Sequence, residues 1–230
     1  MINTNNDKDR YERKFLVENT SLTCLKNIRF LLPLDLHEIY SDRLVNSIYY
    51  DTENLLLAKN SIEGNSSRFK IRLRYYGDIN SFESPLLEIK YKNGEIGNKY
   101  KISLKKEDII NKNFNVNELL EKNMLPYQFV NILSFLRPKV FISYKRNYYI
   151  TTSDKFRLTF DSNINFKIIN RNKIIFGIRD YPQIRYSNKI IELKYLKENE
   201  IQANQIVKKL PFRLTSISKY NIALSHLSII

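Results

Sequence analysis

The chain has 230 residues, of which 43% are hydrophobic and 13% aromatic, a composition typical of a folded globular protein. Its 38 Lys and Arg residues outnumber 24 Asp and Glu residues, and the net charge of +14 favours a polyanionic partner such as nucleic acid, an anionic membrane or a phosphorylated small molecule. One cysteine, two histidines and five glycines without a GxxxxGK[ST] or GxGxxG pattern exclude an intrachain disulfide, a histidine-rich metal site and a glycine-loop phosphate cradle, so a bound phosphate has to be held by side chains.

The secondary structure predicted from the sequence alternates strands with a few helices. Residues 1–9 are polar and are predicted to form a disordered tail. The remaining predicted elements are, in chain order, strand Tyr11–Val17, helix Ser21–Leu32, strand Asn46–Asp51, helical turns at Asn54–Asn60, strands Arg68–Tyr76, Leu86–Lys92 and Lys99–Lys105, helix Asn115–Leu136, strands Val140–Thr151, Phe156–Phe166 and Lys189–Tyr195, and helices Ile201–Leu210 and Ile217–Leu227. No linker or repeat divides the sequence, so we expect a single α+β domain over residues 10–230 with mostly antiparallel strands.

The charged residues of the predicted strands fall on one face of each strand. Side chains at i and i+2 point to the same side, so Lys70, Arg72 and Arg74 share a face. The same spacing groups Glu12 with Lys14, Glu88 with Lys90 and Lys92, Lys99 with Lys101 and Lys105, Arg157 with Asp161, and Glu192 with Lys194.

Two interpretations of these faces stay open on the pattern alone. An antiparallel sheet often has one solvated polar face. However, like charges directly opposite each other destabilise a sheet, and the helices need the apolar strand faces for their own packing. The charged faces would then line the interior of a closed barrel, where an anionic ligand compensates the cations. The pattern also does not decide whether Lys145 or Arg146 faces that interior.

Eight short segments resemble the triphosphate tunnel metalloenzymes, and most closely the VTC-type polyphosphate polymerase domain. They occur in the order of that family and extend over nearly the whole chain. The segments are Arg10–Lys14, Lys70–Gly77, Leu87–Lys90, Lys99–Lys101, Ser143–Arg146, Phe156–Asp161, Ile191–Lys194 and Ser218–Tyr220. Arg10 stands where the wider superfamily has the first Glu of its ExExK motif, a difference that favours the polymerase branch.

The resemblance implies a fold, an activity and a set of site residues. The implied fold is a closed antiparallel eight-stranded β-barrel tunnel with helices packed outside. The implied activity is metal-dependent transfer of the ATP γ-phosphate to a growing polyphosphate chain. The side chains implied to contact phosphates are Lys14, Arg72, Arg74, Lys90, Lys99, Lys101, Tyr144, Arg146, Arg157, Lys194, Ser218 and Lys219. The implied ligands of Mn²⁺ or Mg²⁺ are Glu192, as the principal ligand, with Glu12 and Glu88.

Two other functions are compatible with the same residues. A tunnel of this type could hydrolyse tripolyphosphate or a nucleoside triphosphate, or the chain could be a non-catalytic polyanion-binding module. Nucleic acid is not an expected partner, because most aromatics of the predicted strands lie opposite the cations rather than beside them. The polar start is unlike a signal peptide and no apolar run is long enough to span a membrane, so we expect a cytoplasmic location, including the inner face of a membrane reached through a membrane-protein partner in trans.

Overall fold

The computed structural model of the chain describes residues 2–4, 10–18, 22–78, 83–94, 96–105, 107, 118, 135–169, 182–216 and 218–229. Most of the predicted helix Asn115–Leu136 lies outside these residues. Of the predicted disordered tail over residues 1–9, Ile2–Thr4 are described, and they form a strand.

The described residues form eleven strands and four α-helices. The strands are β1 (Ile2–Thr4), β2 (Arg10–Val17), β3 (Leu36–Asp51), β4 (Ser67–Tyr76), β5 (Glu83–Asn93), β6 (Ile96–Ser103), β7 (Arg137–Thr151), β8 (Phe156–Ile168), β9 (Ile184–Tyr186), β10 (Lys189–Leu196) and β11 (Arg213–Thr215). The helices are α1 (Leu22–Asn27), α2 (Leu56–Ile62), α3 (Glu200–Lys209) and α4 (Lys219–His226), with 3₁₀ turns at Ile28–Leu31 and Lys197–Asn199. All eight predicted strands are present, whereas β1, β9, β11 and the first ten residues of β3 were not predicted.

The strands form one antiparallel sheet that is not closed into a barrel. The strand order is β1-β6-β5-β4-β3-β7-β8-β10-β2-β11, and β9 pairs with β8. The predicted closed eight-stranded barrel is therefore wrong. Closure of the eight predicted strands would require β6 to pair with β2. Instead, the free edge of β6 pairs with β1 and the free edge of β2 pairs with β11, so two short strands occupy the hydrogen-bonding groups that closure would use.

The sheet is nevertheless strongly curved. β2 and β5 are six positions apart in the strand order, a separation of roughly 29 Å in a flat sheet. Side chains from both strands line a single cavity, and the charges of Glu12 and Lys90 influence each other. The charged face of the sheet therefore forms a concave surface on which distant strands meet.

Apolar side chains pack on both surfaces of the sheet. One buried cluster joins Phe15, Leu158 and Leu193 with Leu25 of α1 and Ile206 of α3. A second cluster packs Leu57 of α2 against the apolar residues of β4 and β5. Helices α1 and α3 cover the surface opposite the cations, because that surface carries the alternating apolar residues. Helix α2 contributes Leu57 to this surface and Ala58 to the cluster that contains α4.

The prediction placed all helices outside the barrel, but helix α4 packs on the concave surface of the sheet. Its Tyr220, Ile222 and Leu224 pack with Ile142 and Tyr144 of β7, and Tyr144 itself lines the cavity. By strand alternation, α4 therefore lies on the concave surface and shares it with the charged residues. It fills the apolar part of that surface and leaves the cationic part accessible.

Candidate active site

The concave surface encloses a cavity of about 130 Å³ whose walls are mostly basic. Eight cations and three carboxylates line it, an excess of five positive charges. The lining residues are Glu12, Lys14, Tyr49, Lys70, Arg72, Arg74, Glu88, Lys90, Tyr144, Arg146, Glu192, Lys194, Ser218 and Lys219. Cations confined in such a space lower the stability of the fold unless an anion compensates their charge, so the cavity favours a polyanionic ligand.

Glu88 is the internal counter-ion of one wall. Its side chain is 1% exposed and accepts charge-assisted contacts from Arg72 at 2.7 Å, Arg74 at 3.1 Å and Lys99 at 2.9 Å. Burial raises the pKa of this carboxyl, but Arg72 and Lys99 outweigh that effect and lower it to about 2. Arg72 also donates a hydrogen bond to the Tyr49 hydroxyl at 2.9 Å. These contacts hold the two arginines in fixed positions at the cavity surface.

A second wall is built around two carboxylates and two cations. Asp161 accepts two hydrogen bonds from the Arg146 guanidinium, at 2.5 and 2.6 Å, and one ion pair from Lys219 at 2.5 Å. Glu192 accepts from the same two cations, at 3.0 Å from Arg146 and 2.9 Å from Lys219. Burial raises the pKa of Glu192, but Arg146 and Lys219 hold it well below the ordinary value. Burial lowers the pKa of Lys219, but Asp161 and Glu192 raise it, so this lysine stays charged.

Glu12 and Glu192 are influenced by two of the same cations, Lys14 and Lys194. Burial and repulsion from Glu192 raise the pKa of Glu12. The attraction of Lys14, Lys194 and Lys90 outweighs both effects and lowers this pKa to about 2. Lys14 contacts Glu12 at 3.2 Å, and about a quarter of each side chain is exposed. The two ionised carboxylates lie on neighbouring strands, where the register places Glu192 opposite Lys14 and Glu12 opposite Lys194, and they are close enough for their charges to interact.

Two lysines of the cavity have lowered pKa values. Desolvation, followed by repulsion from Lys14 and Arg68, lowers the pKa of Lys70 to about 8. Desolvation and repulsion from Arg72 and Lys194 also lower the pKa of Lys90 to about 7, against the attraction of Glu12. Because Lys90 is exposed, we assign the lowered pKa chiefly to the neighbouring cations. Burial raises the pKa of Tyr144 to about 12, so its hydroxyl stays protonated and is available as a donor.

Helix α4 brings Ser218 and Lys219 to the cavity. Ser218 is its N-cap and accepts a hydrogen bond from the Asn221 amide at 3.2 Å. The next residue but one, Tyr220, stacks on Tyr49 with ring centroids 4.9 Å apart and donates to Asp51 at 2.9 Å. Asp51 also accepts from the backbone amides of Leu57 and Ala58, so one buried carboxylate joins α2 to α4.

The sequence profile of one protein family extends over nearly all of these elements. The VTC domain profile matches residues 9–228. The chain belongs to the VTC domain family. Among curated proteins, none matches the sequence.

Solved structures share the fold of this VTC domain at low sequence identity. A protein from Pyrococcus horikoshii OT3 is 13% identical with a TM-score of 0.52, covering 95% of this chain and 98% of its own. A putative adenylyl cyclase from Hippeastrum that has a dominant triphosphatase activity is 13% identical with a TM-score of 0.53, covering 94% and 96%. A putative adenylate cyclase from Bacillus halodurans is 17% identical with a TM-score of 0.51, covering 92% and 94%. Within the described residues, no helix has the length and apolarity needed to cross a membrane.

Twelve of the fifteen site residues predicted for the VTC domain line the cavity. The other three are nearby: Lys99 contacts Glu88, Lys101 is the register partner of Glu88, and the exposed Arg157 is the partner of Lys194. Of the pair that the pattern left open, Arg146 lines the cavity, whereas Lys145 forms an ion pair with Asp42 at 2.7 Å.

Three residues of this region were absent from the predicted set. Lys70 follows the same alternation as Arg72 and Arg74, so the spacing alone could have included it. Tyr49 gave no signal, because a tyrosine in an apolar strand looks like core. Asp161, which is fully buried, shares a predicted strand face with Arg157, and its register opposite Arg146 shows its role as a counter-ion.

The carboxylates of the VTC domain partly fit the divalent metal that the resemblance implies. In the part of the chain that the structure describes, no three Asp, Glu, His or Cys side chains are grouped closely enough to hold a metal ion. Mg²⁺ and Mn²⁺ are, however, commonly bound by one or two carboxylates together with substrate phosphates, and Glu12 and Glu192 offer such a pair. Glu88 fits less well, because three cations already occupy its oxygens, and Glu192 would have to share its own oxygens with Arg146 and Lys219.

Proposed function

We propose that this VTC domain transfers the γ-phosphoryl group of ATP to the end of an inorganic polyphosphate chain. The observation that supports this is the cavity with eight cations and three carboxylates, in a chain that lacks a phosphate-binding glycine loop. A linear phosphate chain supplies closely spaced negative charges to such a surface. Family membership points to the same substrate class.

The roles of the residues follow from their chemistry. Phosphoryl transfer requires alignment of the groups and neutralisation of charge more than covalent participation by the protein. Arg72, Arg74 and Arg146 bind phosphate oxygens through planar two-pronged contacts, while Lys90 and Lys219 act as point charges. Each such contact contributes about 1.5–3 kcal/mol. The bond from the γ-phosphorus to the β–γ bridging oxygen breaks, a terminal oxygen of the polyphosphate chain forms the new bond, and ADP leaves.

Glu12 and Glu192 would hold the divalent cation. The metal would polarise phosphate oxygens and neutralise part of their charge. Arg146 and Lys219 keep Glu192 ionised and in place before the substrate arrives.

Hydrolysis by the same cavity is the second candidate. It is favoured by the fold shared with the Hippeastrum protein, which has triphosphatase activity. The two reactions differ only in the acceptor, since water then replaces the polyphosphate end.

Two measurements test the proposal. Tripolyphosphate should raise the melting temperature relative to a chloride control of equal ionic strength, because a ligand of the native state stabilises it. No shift at millimolar concentration, with or without Mn²⁺, would sink every polyanion-binding function considered. Incubation with ATP and Mn²⁺ should then give a ladder of polyphosphate on a gel; orthophosphate alone indicates hydrolysis, and a melting shift without product indicates a non-catalytic module.

Glu192→Gln provides the mutational test. It should abolish product formation, because the metal pair loses one ionised member. The folded circular-dichroism spectrum should be retained with a lower free energy of unfolding, since Arg146 and Lys219 lose one of their two buried counter-ions. Glu200→Gln is the matched control: it removes a partly exposed carboxylate paired with Arg13 on the opposite surface and should leave the activity unchanged. Wild-type activity of the Glu192 variant would contradict the metal assignment.

A further inference from the structure

A group of three tyrosines and one arginine extends the concave surface beyond the cavity. Arg43 and Tyr40 lie on β3, Tyr76 ends β4 and Tyr148 lies on β7. Arg43 is the register partner of Arg146, which lines the cavity, and the Arg146 guanidinium lies 5.8 Å from the Tyr148 ring. The group is therefore immediately adjacent to the cationic wall.

The contacts of Arg43 are unusual for an arginine in so basic a region. Its guanidinium carbon lies 3.8 Å from the centroid of the Tyr40 ring and 5.7 Å from that of Tyr76. Among the described residues it makes no hydrogen bond or ion pair with another side chain, so its planar donors are directed by the aromatic rings alone. Tyr148 meets Tyr40 edge to face at 5.7 Å and holds that ring in position.

The Tyr40 ring also remains accessible. It is 44% exposed, which is a large fraction for a tyrosine already stacked on an arginine and braced by a second tyrosine. An arginine plane and a tyrosine ring are the surfaces on which proteins stack unpaired nucleobases. Stacking uses the face of a base and not its edge, so stacking alone discriminates little between bases.

We propose that Tyr40 and Arg43 form the nucleobase subsite of the nucleotide donor. This inference rests on the proposed function: the cavity takes the phosphates of a nucleoside triphosphate, and the stacked pair takes its base. A nucleotide joins a planar aromatic base to a phosphate chain. On the protein surface, the stacked Tyr40 and Arg43 side chains would contact the base, and the adjacent cationic cavity would contact the phosphates.

The test compares ATP with tripolyphosphate, which has the phosphates but no base. Dissociation constants for both are measured by calorimetry for the unaltered chain, Tyr40→Ala and Tyr40→Trp. Tyr40→Ala should weaken ATP about 5-fold or more, as expected for loss of base stacking, and leave tripolyphosphate unchanged. Tyr40→Trp should retain ATP binding, since the ring is kept. Tyr40 is uncharged, so its removal leaves the number of charges around the phosphates unchanged, and the tripolyphosphate measurement detects any effect of a displaced Arg43.

Phe30→Ala is the matched control. Phe30 is 71% exposed and has the Arg29 guanidinium 4.6 Å from its ring, but it belongs to the 3₁₀ turn that follows α1. This variant should bind both ligands as the unaltered chain does. Unchanged ATP binding by Tyr40→Ala, or equal weakening of ATP and tripolyphosphate, would overturn the subsite. Failure of the unaltered chain to bind tripolyphosphate would instead overturn the proposed function on which the subsite depends.

Discussion

The substitution Asp161→Asn measures how much the buried carboxylates stabilise the cations of the cavity wall. Asp161 is fully buried and lies within 2.6 Å of Arg146 and Lys219, and both cations also contact the buried Glu192. The four groups are neutral together, and the substitution leaves one uncompensated buried cation. Removal of one member of a buried ion pair costs about 3–5 kcal/mol, and we expect a loss of that size in the free energy of unfolding.

The same substitution should respond to ligand in a way that an ordinary packing defect does not. Arg146 and Lys219 line the cavity, so a phosphate oxygen can replace the lost carboxylate charge. At saturating tripolyphosphate the difference in stability from the unaltered chain should therefore shrink by about 1.5–3 kcal/mol, the range for a hydrogen bond to a charged group.

Urea unfolding followed by circular dichroism, with and without tripolyphosphate, measures both quantities; the chain has no tryptophan for a fluorescence signal. Glu53→Gln is the control, because it removes a carboxylate that is 60% exposed in its pair with Lys139 and should change stability by at most about 1 kcal/mol. A loss below about 1 kcal/mol for Asp161→Asn, or an equal loss with and without ligand, would refute this reasoning.

Two further predictions concern protonation and the attachment of α4. The pKa of Lys90 is lowered to about 7, so this lysine carries only part of its charge at pH 8, and a bound anion raises its pKa; tripolyphosphate binding at pH 8 should therefore take up protons and weaken as the pH rises to 9. Calorimetry in buffers of different ionisation enthalpy measures this uptake, which should fall in Lys90→Met; an unchanged uptake would assign it elsewhere, with Lys70 the next candidate. Asp51→Asn should lower the free energy of unfolding by about 1–3 kcal/mol, since it weakens the acceptor shared by two amides of α2 and the Tyr220 hydroxyl. Urea unfolding checks this value, and stability equal to that of the unaltered chain would show that this carboxylate does not hold the two helices together.

The strands were predictable because their side chains alternate over many residues. In β4, Phe69, Ile71, Leu73 and Tyr75 are buried, as the spacing predicts. The open edges were not predictable, because strands of three residues, such as β1 and β11, are too short to show alternation. Amphipathic spacing also shows that a helix such as α4 has an apolar side but not which surface of the sheet receives it.

The cavity residues were predictable where charged side chains alternate with apolar ones along a strand. Arg72, Arg74 and Lys90 could be grouped from their spacing, and the family resemblance added Ser218 and Lys219 from a distant helix. The nucleobase subsite was not, because Tyr40 and Arg43 lie in the part of β3 that is largely exposed and has register irregularities. Such a segment lacks the regular alternation on which strand prediction depends.

The position of β2 between β10 and β11 bears on how the protein is made. Both of its neighbours come from residue 189 onward, so a ribosome has synthesised most of the chain before β2 has any partner in the sheet. During that time β2 presents two unpaired edges, which are templates for association with other chains. Lys219, which completes one cavity wall, is translated later still. The anion-binding surface is therefore complete only after residue 219 has been translated, long after the cations of β4 and β5, and a shorter nascent chain lacks one wall of the cavity.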